Sequence, residues 1–276
     1  MAQPMRWTPE LVTKFWRGVS ATRLSELSFA KLNSFYLLEL IQPHLQSEGR
    51  HLDFGAGEGD LLSMMLDRGY RTAAFEPAGR GLAVLQEAIR DNPRYLGAIK
   101  DGESEPFDVV LMVEVIEHLL DQDLPAVLDS VSRLVKNDGT LIVTTPNAED
   151  LDLASVYCPT CDTVFHRWQH MRSFTEEMLD KVLEQYGFKR VIMHRVDFSN
   201  SRIPIEELKF IKELILALYE VQSDKRMSAA PYASMKDRIR EYSQELERRS
   251  HIADGQQENG FRLGNESHLI YVGKKS

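Results

Sequence analysis

At residues 50–54 a short apolar strand pattern, ending Leu52-Asp53-Phe54, breaks into Gly55-Ala56-Gly57-Glu58-Gly59, and a helical pattern opens at once over 60–68. Few chain shapes accept that order. Glycines at alternate positions let the backbone turn tightly and leave no Cβ between it and a ligand. The helix start presents unpaired N–H groups to polar ligand atoms. Further on, the strand pattern 72–75 ends in Glu76-Pro77. An acid at that strand tip suits a bidentate contact to two ribose hydroxyls. The stretch therefore predicts a nucleoside-containing cofactor. A dinucleotide fingerprint would need G-x-G-x-x-G. Here the spacing is G-x-G-x-G with Asp60 in place of the third glycine, and Asp53 stands ahead of it, giving D-x-G-x-G-x-G.

The chain around this stretch alternates helix and strand, the pattern of a parallel α/β sheet. After the strands at 50–54 and 72–75 come a helix over 81–91 and a weak strand at 95–99. The run 107–113, FDVVLMV, is apolar on both faces, as a central parallel strand should be. A helix over 122–134, a turn at Asn137-Asp138-Gly139, a strand over 139–144, a helix over 175–186 stopped by Gly187, a strand over 189–197 and a last strand at 268–272 complete the pattern. Before the first strand, Thr8-Pro9-Glu10 is a helix start. A second helix over 24–44 carries Leu24, Leu27, Leu32, Phe35, Leu38 and Ile41 at helical spacing. The expected organisation is a helical cover over 1–47, a core over 48–200 and 264–276, a Cys/His-containing insertion at 148–172 and a helical insertion over 201–263. Amphipathic helices are expected there at 205–221 and 235–249. That insertion reads as a substrate cap, as a plain helical extension or as the surface of a homodimer, and the N-terminal helices as a cover or lid.

Asp53, the three glycines and Glu76 together resemble the first motifs of the class I S-adenosylmethionine (SAM) methyltransferases. Asp108 and the turn before the 139–144 strand are similar to that family as well. The resemblance spans roughly 48–200 and the last strand. It implies a Rossmann-like, seven-stranded, mostly parallel sheet with helices on both faces and an antiparallel last strand. It also implies SAM as cofactor, held by Asp53, Gly55, Ala56, Gly57, Glu76 and Pro77, with Asp101 beside the adenine and Glu114 at the tip of the central strand.

Glu114-Val115-Ile116-Glu117-His118 follows the central strand directly, where an open sheet binds its ligands. In a helical turn Glu114, Glu117 and His118 would share one face, and two carboxylates with an imidazole suit a divalent cation. Acids are also favoured in a first helical turn by the helix dipole alone. Downstream, His170 precedes Phe174-Thr175 at a helix start. This pairing resembles the metal-dependent small-RNA 3′-terminal 2′-O-methyltransferases, and the E-x-x-E-H segment is similar to ubiquinone-pathway O-methyltransferases. The resemblance implies Glu114, Glu117, His118 and His170 as ligands of Mg²⁺, Mn²⁺ or Zn²⁺, with His118 and His170 as catalytic groups when no metal is bound. Cys158 and Cys161, with His166 and His170, form a C-x2-C-x4-H-x3-H set that could instead hold zinc.

Composition narrows the acceptor. A net charge of −9 argues against general phosphate tracking along a nucleic acid. The chain also lacks the Asn-Pro-Pro-Tyr segment of base-amino methyltransferases and any G-x-S-x-G elbow. The expectation is O-methylation of a small-molecule or glycan-type hydroxyl by a cytoplasmic enzyme without a membrane span. An RNA terminus as acceptor and a non-catalytic, zinc-stabilised SAM-binding regulator are the alternatives.

Overall fold

The structure, a computed structural model, describes residues 2–77, 86–87, 89–100, 104–198 and 267–276. Asp101, most of the helix expected over 81–91 and the two helices expected within 201–263 lie outside the described residues. The chain divides into two units, Met1–Phe198 with Glu266–Ser276, and Ser199–Asn265.

The first unit is centred on a seven-stranded sheet. In chain order the strands are β2 (Arg50–Phe54), β3 (Arg71–Phe75), β4 (Tyr95–Ala98), β5 (Phe107–Val113), β6 (Val135–Pro146), β9 (Phe188–Val196) and β10 (His268–Lys275). In space they run β4-β3-β2-β5-β6-β10-β9. Parallel pairing links β2 to β3 and β5, and β5 to β6, while β10 runs antiparallel to both β6 and β9. The order reverses between β2 and β5, which puts the crevice beyond their carboxyl ends.

Strand β5 shows why the sheet is covered twice. Val110 and Met112 belong to one apolar cluster, with Leu128, Val131 and Leu134 of helix α4 (Leu124–Leu134) and Leu179 and Leu183 of α5 (Glu176–Glu184). Val109, Leu111 and Val113 belong to the other, with Leu37, Leu38 and Ile41 of α2 (Phe29–Ile41) and Leu61 and Met65 of α3 (Asp60–Asp67). Alternate residues of a strand point to opposite faces, so an apolar run on both faces needs helices on both. Leu111 is fully buried. Leu111→Ala should destabilise the fold by about 3 kcal/mol through lost burial and a residual cavity, read as a lower urea midpoint with an unchanged m-value.

Two expectations are corrected. Asn137-Asp138-Gly139 is a bulge inside β6 rather than a turn before it: Phe107 pairs with Val135, but Val109 already pairs with Thr140. Asp138 takes a positive φ of 59° there, and a Cβ on Gly139 would meet the Lys136 carbonyl at 2.8 Å. The helix expected over 24–44 is interrupted. A 3-10 turn over Arg23–Leu27 ends at Ser28, whose hydroxyl accepts from the Lys31 N–H and caps α2. The break leaves Leu24, Leu27 and Leu32 about half exposed, and the burial falls on Leu37, Leu38 and Ile41.

A second, three-stranded sheet was not expected. The insertion folds as a hairpin of β7 (Ser155–Cys158) and β8 (Thr163–His166), and β1 (Gln3–Pro4) pairs in parallel with β8. Thr8 caps α1 (Pro9–Ser20) by accepting from the Leu11 N–H. Trp7 and Phe15 pack edge-on against Phe165 of β8. The N-terminal segment is thus attached to the insertion.

Candidate functional site

The glycine loop lies at the carboxyl ends of β2 and β3. Gly55 and Ala56 donate backbone N–H groups to the Phe75 carbonyl, at 2.8 and 3.1 Å. Gly57 donates its N–H to Glu76 Oε2 at 2.9 Å. Gly55 has φ of 85°, and a Cβ there would lie 2.5 Å from Val115 Cγ2. Gly57 has φ of 54° with open space where its Cβ would be. Both positions require glycine, one for close approach and one for its backbone angle. Pro77 follows at the exposed end of β3.

Asp53 sits beneath this loop, 2% exposed. Its Oδ2 has no hydrogen-bond partner. Burial, then the negative charge of Glu76, raises its pKa to about 7, against a backbone hydrogen bond from Leu62 that lowers it. A carboxyl raised in the folded state contributes stability that is complete below its unfolded value near 4 and is lost as pH rises through the folded one. Stability of the free protein should fall by a few kcal/mol between about pH 4 and pH 7 from this group. Asp53→Asn should flatten that slope in urea denaturation at a series of pH values.

The second set of groups follows β5. Glu114 takes a positive φ of 52°, and only Ile116–His118 forms a 3-10 turn. The single helical face expected for Glu114, Glu117 and His118 is therefore absent. Neighbouring threonines of β6 show the consequence. Thr144 donates its hydroxyl to Glu114 Oε1 at 2.7 Å, and Thr145 donates to Glu117 Oε2 at 3.0 Å. Consecutive strand residues face opposite sides, so the two carboxylates are drawn to opposite faces of the sheet. Glu114 also lies 3.6 Å from His268 Nε2. Glu117 goes the other way, towards the insertion.

There Glu117, His118 and His170 offer ligand atoms that all lie within 4.8 Å of one another. The loop after β8 holds them. Met171 donates its N–H to the Glu117 carbonyl at 2.8 Å, Arg172 Nη1 to the Ile116 carbonyl at 2.9 Å, and Gln169 Nε2 to the His118 carbonyl at 2.9 Å. Gln169 is fully buried and also accepts from Trp16 Nε1 of α1. Trp16 stands edge-on to the His118 ring, centroids 4.8 Å apart.

The electrostatics separate the roles. Glu117 is 1% exposed. Burial, then the charge of Glu114, holds its pKa well above the usual carboxylate range. Burial, then His170, pushes His118 down to about 3, so its imidazole is neutral at physiological pH. An imidazole with so low a pKa holds a proton weakly and keeps a lone pair to offer. Glu117 Oε1 and His118 Nδ1 are buried without a hydrogen-bond partner. Two orphaned polar atoms in a set of one carboxylate and two imidazoles fit a divalent cation.

Sequence reasoning missed Glu149. It follows β6 and reaches His166 Nε2 at 3.2 Å and His170 Nδ1 at 2.5 Å. Burial alone would raise its pKa, but the hydrogen bonds from His166 and His170 outweigh it and hold it at about 2. The signal was available: Glu149 follows the carboxyl end of a sheet strand, the same placement that drew attention to 114–118. The cysteine set is also corrected. Cys158 and Cys161 flank the tip of the β7–β8 hairpin, and Cys161 Sγ lies 3.0 Å from Thr163 Oγ1. Among the described residues, neither group of converging metal-ligating side chains includes a cysteine.

A model of the methyltransferase domain family matches residues 28–192. The chain belongs to the class I SAM-dependent methyltransferases. This methyltransferase is 29% identical to a ubiquinone biosynthesis O-methyltransferase of Methylocella silvestris, over 53% of its own chain and 66% of that protein. It is 25% identical to an uncharacterised methyltransferase of Staphylococcus carnosus, over 35% and 47%. The chain thus spans about half to two thirds of the length of these two relatives. In fold it is similar to the 1,6-didemethyltoxoflavin-N1-methyltransferase of Burkholderia thailandensis, with a TM-score of 0.57 and 15% identity, covering 100% of this chain and 93% of that one. A putative methyltransferase of Haloferax volcanii, solved with the Trm112 activator, has a TM-score of 0.55 and 12% identity, covering 94% and 97%. Among the described residues no helix is long and apolar enough to cross a membrane.

Proposed function

We propose that this chain transfers the methyl group of SAM to a hydroxyl oxygen of a small-molecule or glycan-type acceptor. The observation that carries the reading is the convergence of buried Glu117 with half-buried His118 and His170 beyond the carboxyl end of β5, beside the glycine loop on β2. Similarity to an O-methyltransferase of ubiquinone biosynthesis supports an oxygen acceptor. The Burkholderia methyltransferase of the same fold was solved with S-adenosylhomocysteine, which supports the cofactor.

SAM supplies a methyl group already activated on its sulfonium, so no enzyme nucleophile is needed. Asp53 would bind its polar end, the glycine loop would let it approach the backbone closely, and Glu76 would accept from the ribose hydroxyls. Glu117, His118 and His170 would hold a divalent cation, which when bound supplies Lewis acidity that lowers the pKa of an acceptor hydroxyl. The same three side chains orient the acceptor oxygen towards the methyl, where small misplacement is costly in rate. Trp16 and Gln169 close the site from the α1 side and limit the water that reaches it.

The test is a methyl-transfer screen with isotopically labelled SAM against hydroxyl acceptors, together with elemental analysis of the purified protein. The expected result is transfer to oxygen that stops with a chelator and returns with added Mn²⁺ or Zn²⁺. Transfer that ignores the chelator would remove the cation from the reading, and a nitrogen or carbon acceptor would overturn it.

A further inference from the structure

Glu149 is held in place before its side chain does anything. The loop after β6 is anchored by Asn147 N–H to the Ser267 carbonyl at 2.9 Å and Ala148 N–H to the Phe174 carbonyl at 2.7 Å. Ala148 turns the chain with a φ of 47°. The carboxylate then spans two stacked imidazoles, His166 and His170, whose ring centroids are 4.1 Å apart. Oε1 faces His166 Nε2 at 3.2 Å and Oε2 faces His170 Nδ1 at 2.5 Å.

The hydrogen-bond partners fix where the ring protons sit. His166 Nδ1 accepts the backbone N–H groups of Trp168 at 3.3 Å and His170 at 3.1 Å. A nitrogen that accepts carries no hydrogen, so the His166 proton is on Nε2 and is donated to Glu149. Both His166 nitrogens are committed, and His166 has no lone pair left for a cation. Glu149, His166 and His170 also have ligand atoms within 4.8 Å of one another, but these bonds mark them as a hydrogen-bonded brace rather than a second cation site. At His170 the carboxylate accepts as well, which places that proton on Nδ1 and leaves the lone pair on Nε2. His170 also lies edge-on to His118, with centroids 4.8 Å apart.

We infer that Glu149 is a positioning residue that sets the tautomer of His170, proton on Nδ1 and lone pair on Nε2, and that His166 braces Glu149 in that role. This rests on the reading of Glu117, His118 and His170 as the reaction centre. Free histidine side chains in water carry the proton mainly on Nε2, so without the carboxylate His170 would turn its lone pair to the wrong nitrogen. A carboxylate behind a ligating histidine fixes both ring orientation and tautomer.

The experiment reads the tautomer directly. Ring ¹⁵N–¹H correlation spectra of the full chain, with the His170 signals identified by their loss in His170→Asn, should show Nδ1–H. Glu149→Ala should move them to Nε2–H while SAM affinity, measured by calorimetry, confirms that the protein is folded. In parallel, Co²⁺ titration followed by visible absorption should show binding weakened about 10- to 100-fold in Glu149→Ala, and partly restored in Glu149→Asp. His118→Ala should abolish Co²⁺ binding and leave the His170 tautomer as it was. An Nε2–H signal for His170 in the unmodified protein, or an Nδ1–H signal that persists in Glu149→Ala, overturns the proposal. If Glu149→Ala does not fold, the unmodified spectrum decides alone. A wild-type protein that takes up no Co²⁺ removes the cation from the reaction-centre reading, while the tautomer still decides the role of Glu149.

Discussion

Glu117→Gln is expected to lower methyl transfer by about 10²- to 10⁴-fold, the range for removing a group that acts directly on the reacting atoms, with SAM affinity unchanged within twofold. The carboxyl is 1% exposed, one oxygen accepts from Thr145 and the other has no hydrogen-bond partner. Glutamine keeps the volume and can still accept from Thr145. What it loses is the negative charge that the neighbouring groups would share with a cation or with a polarised hydroxyl. Because a buried carboxyl with one oxygen unpaired is expensive to keep, the variant should also be as stable as the parent or more so. Loss of activity combined with unchanged or raised stability is the signature of a group retained for chemistry. A parallel fall in stability and activity would instead make Glu117 a structural strut, and unchanged turnover would move the reaction centre elsewhere.

Glu76→Ala should weaken SAM by about 2–3 kcal/mol, roughly 30- to 150-fold, through loss of charge-assisted hydrogen bonds. The geometry adds a second contribution. Glu76 Oε2 already accepts the Gly57 N–H at 2.9 Å, so the carboxylate ties the tip of β3 to the glycine loop. Its removal loosens the loop as well as the ribose contact. Glu76→Gln separates the two, since the amide oxygen can keep the Gly57 bond without the charge. An intermediate affinity for Glu76→Gln, measured by calorimetry, is the expected result. Equal affinities for Glu76→Ala and the parent would place the ribose elsewhere. Asp53 should respond too: removing the Glu76 charge that helps to raise it should shift the pH dependence of stability towards lower pH.

Much of the sheet is legible in the chain because burial on both faces leaves a continuous apolar run. The run Phe107–Val113 has the same bounds in the sequence pattern and in the strand. The glycine loop is legible because positive φ and close approach select one residue type. What escapes depends on long-range geometry. The helical face expected for Glu114, Glu117 and His118 needs helical angles from Glu114 to His118, but Glu114 has a positive φ and Val115 a φ of −126°; nothing local in Glu-Val-Ile-Glu-His signals those angles. The parting of Glu114 from Glu117 is fixed by which threonine of a neighbouring strand each one meets. Glu149 has no periodic neighbours, and its importance emerges only once the loop folds back on His166 and His170. The break at Ser28 is readable, since a serine ahead of an apolar run is a capping signal, but the recurring leucines on either side obscure it.

The placement of β10 has a consequence for the order of assembly. It is inserted between β6 and β9 and pairs with both along most of its length. Strand β9, some seventy residues earlier in the chain, therefore has no partner in the main sheet until His268–Lys275 arrives. During synthesis the half of the sheet from β2 to β6 can form from nearby segments, while β9 waits with its hydrogen-bonding edges open. Closing so long a loop before its contacts form is slow, and an unpaired strand edge invites association with another chain. A variant that weakens β10 should show its defect first as aggregation during folding, before the mature protein loses any activity.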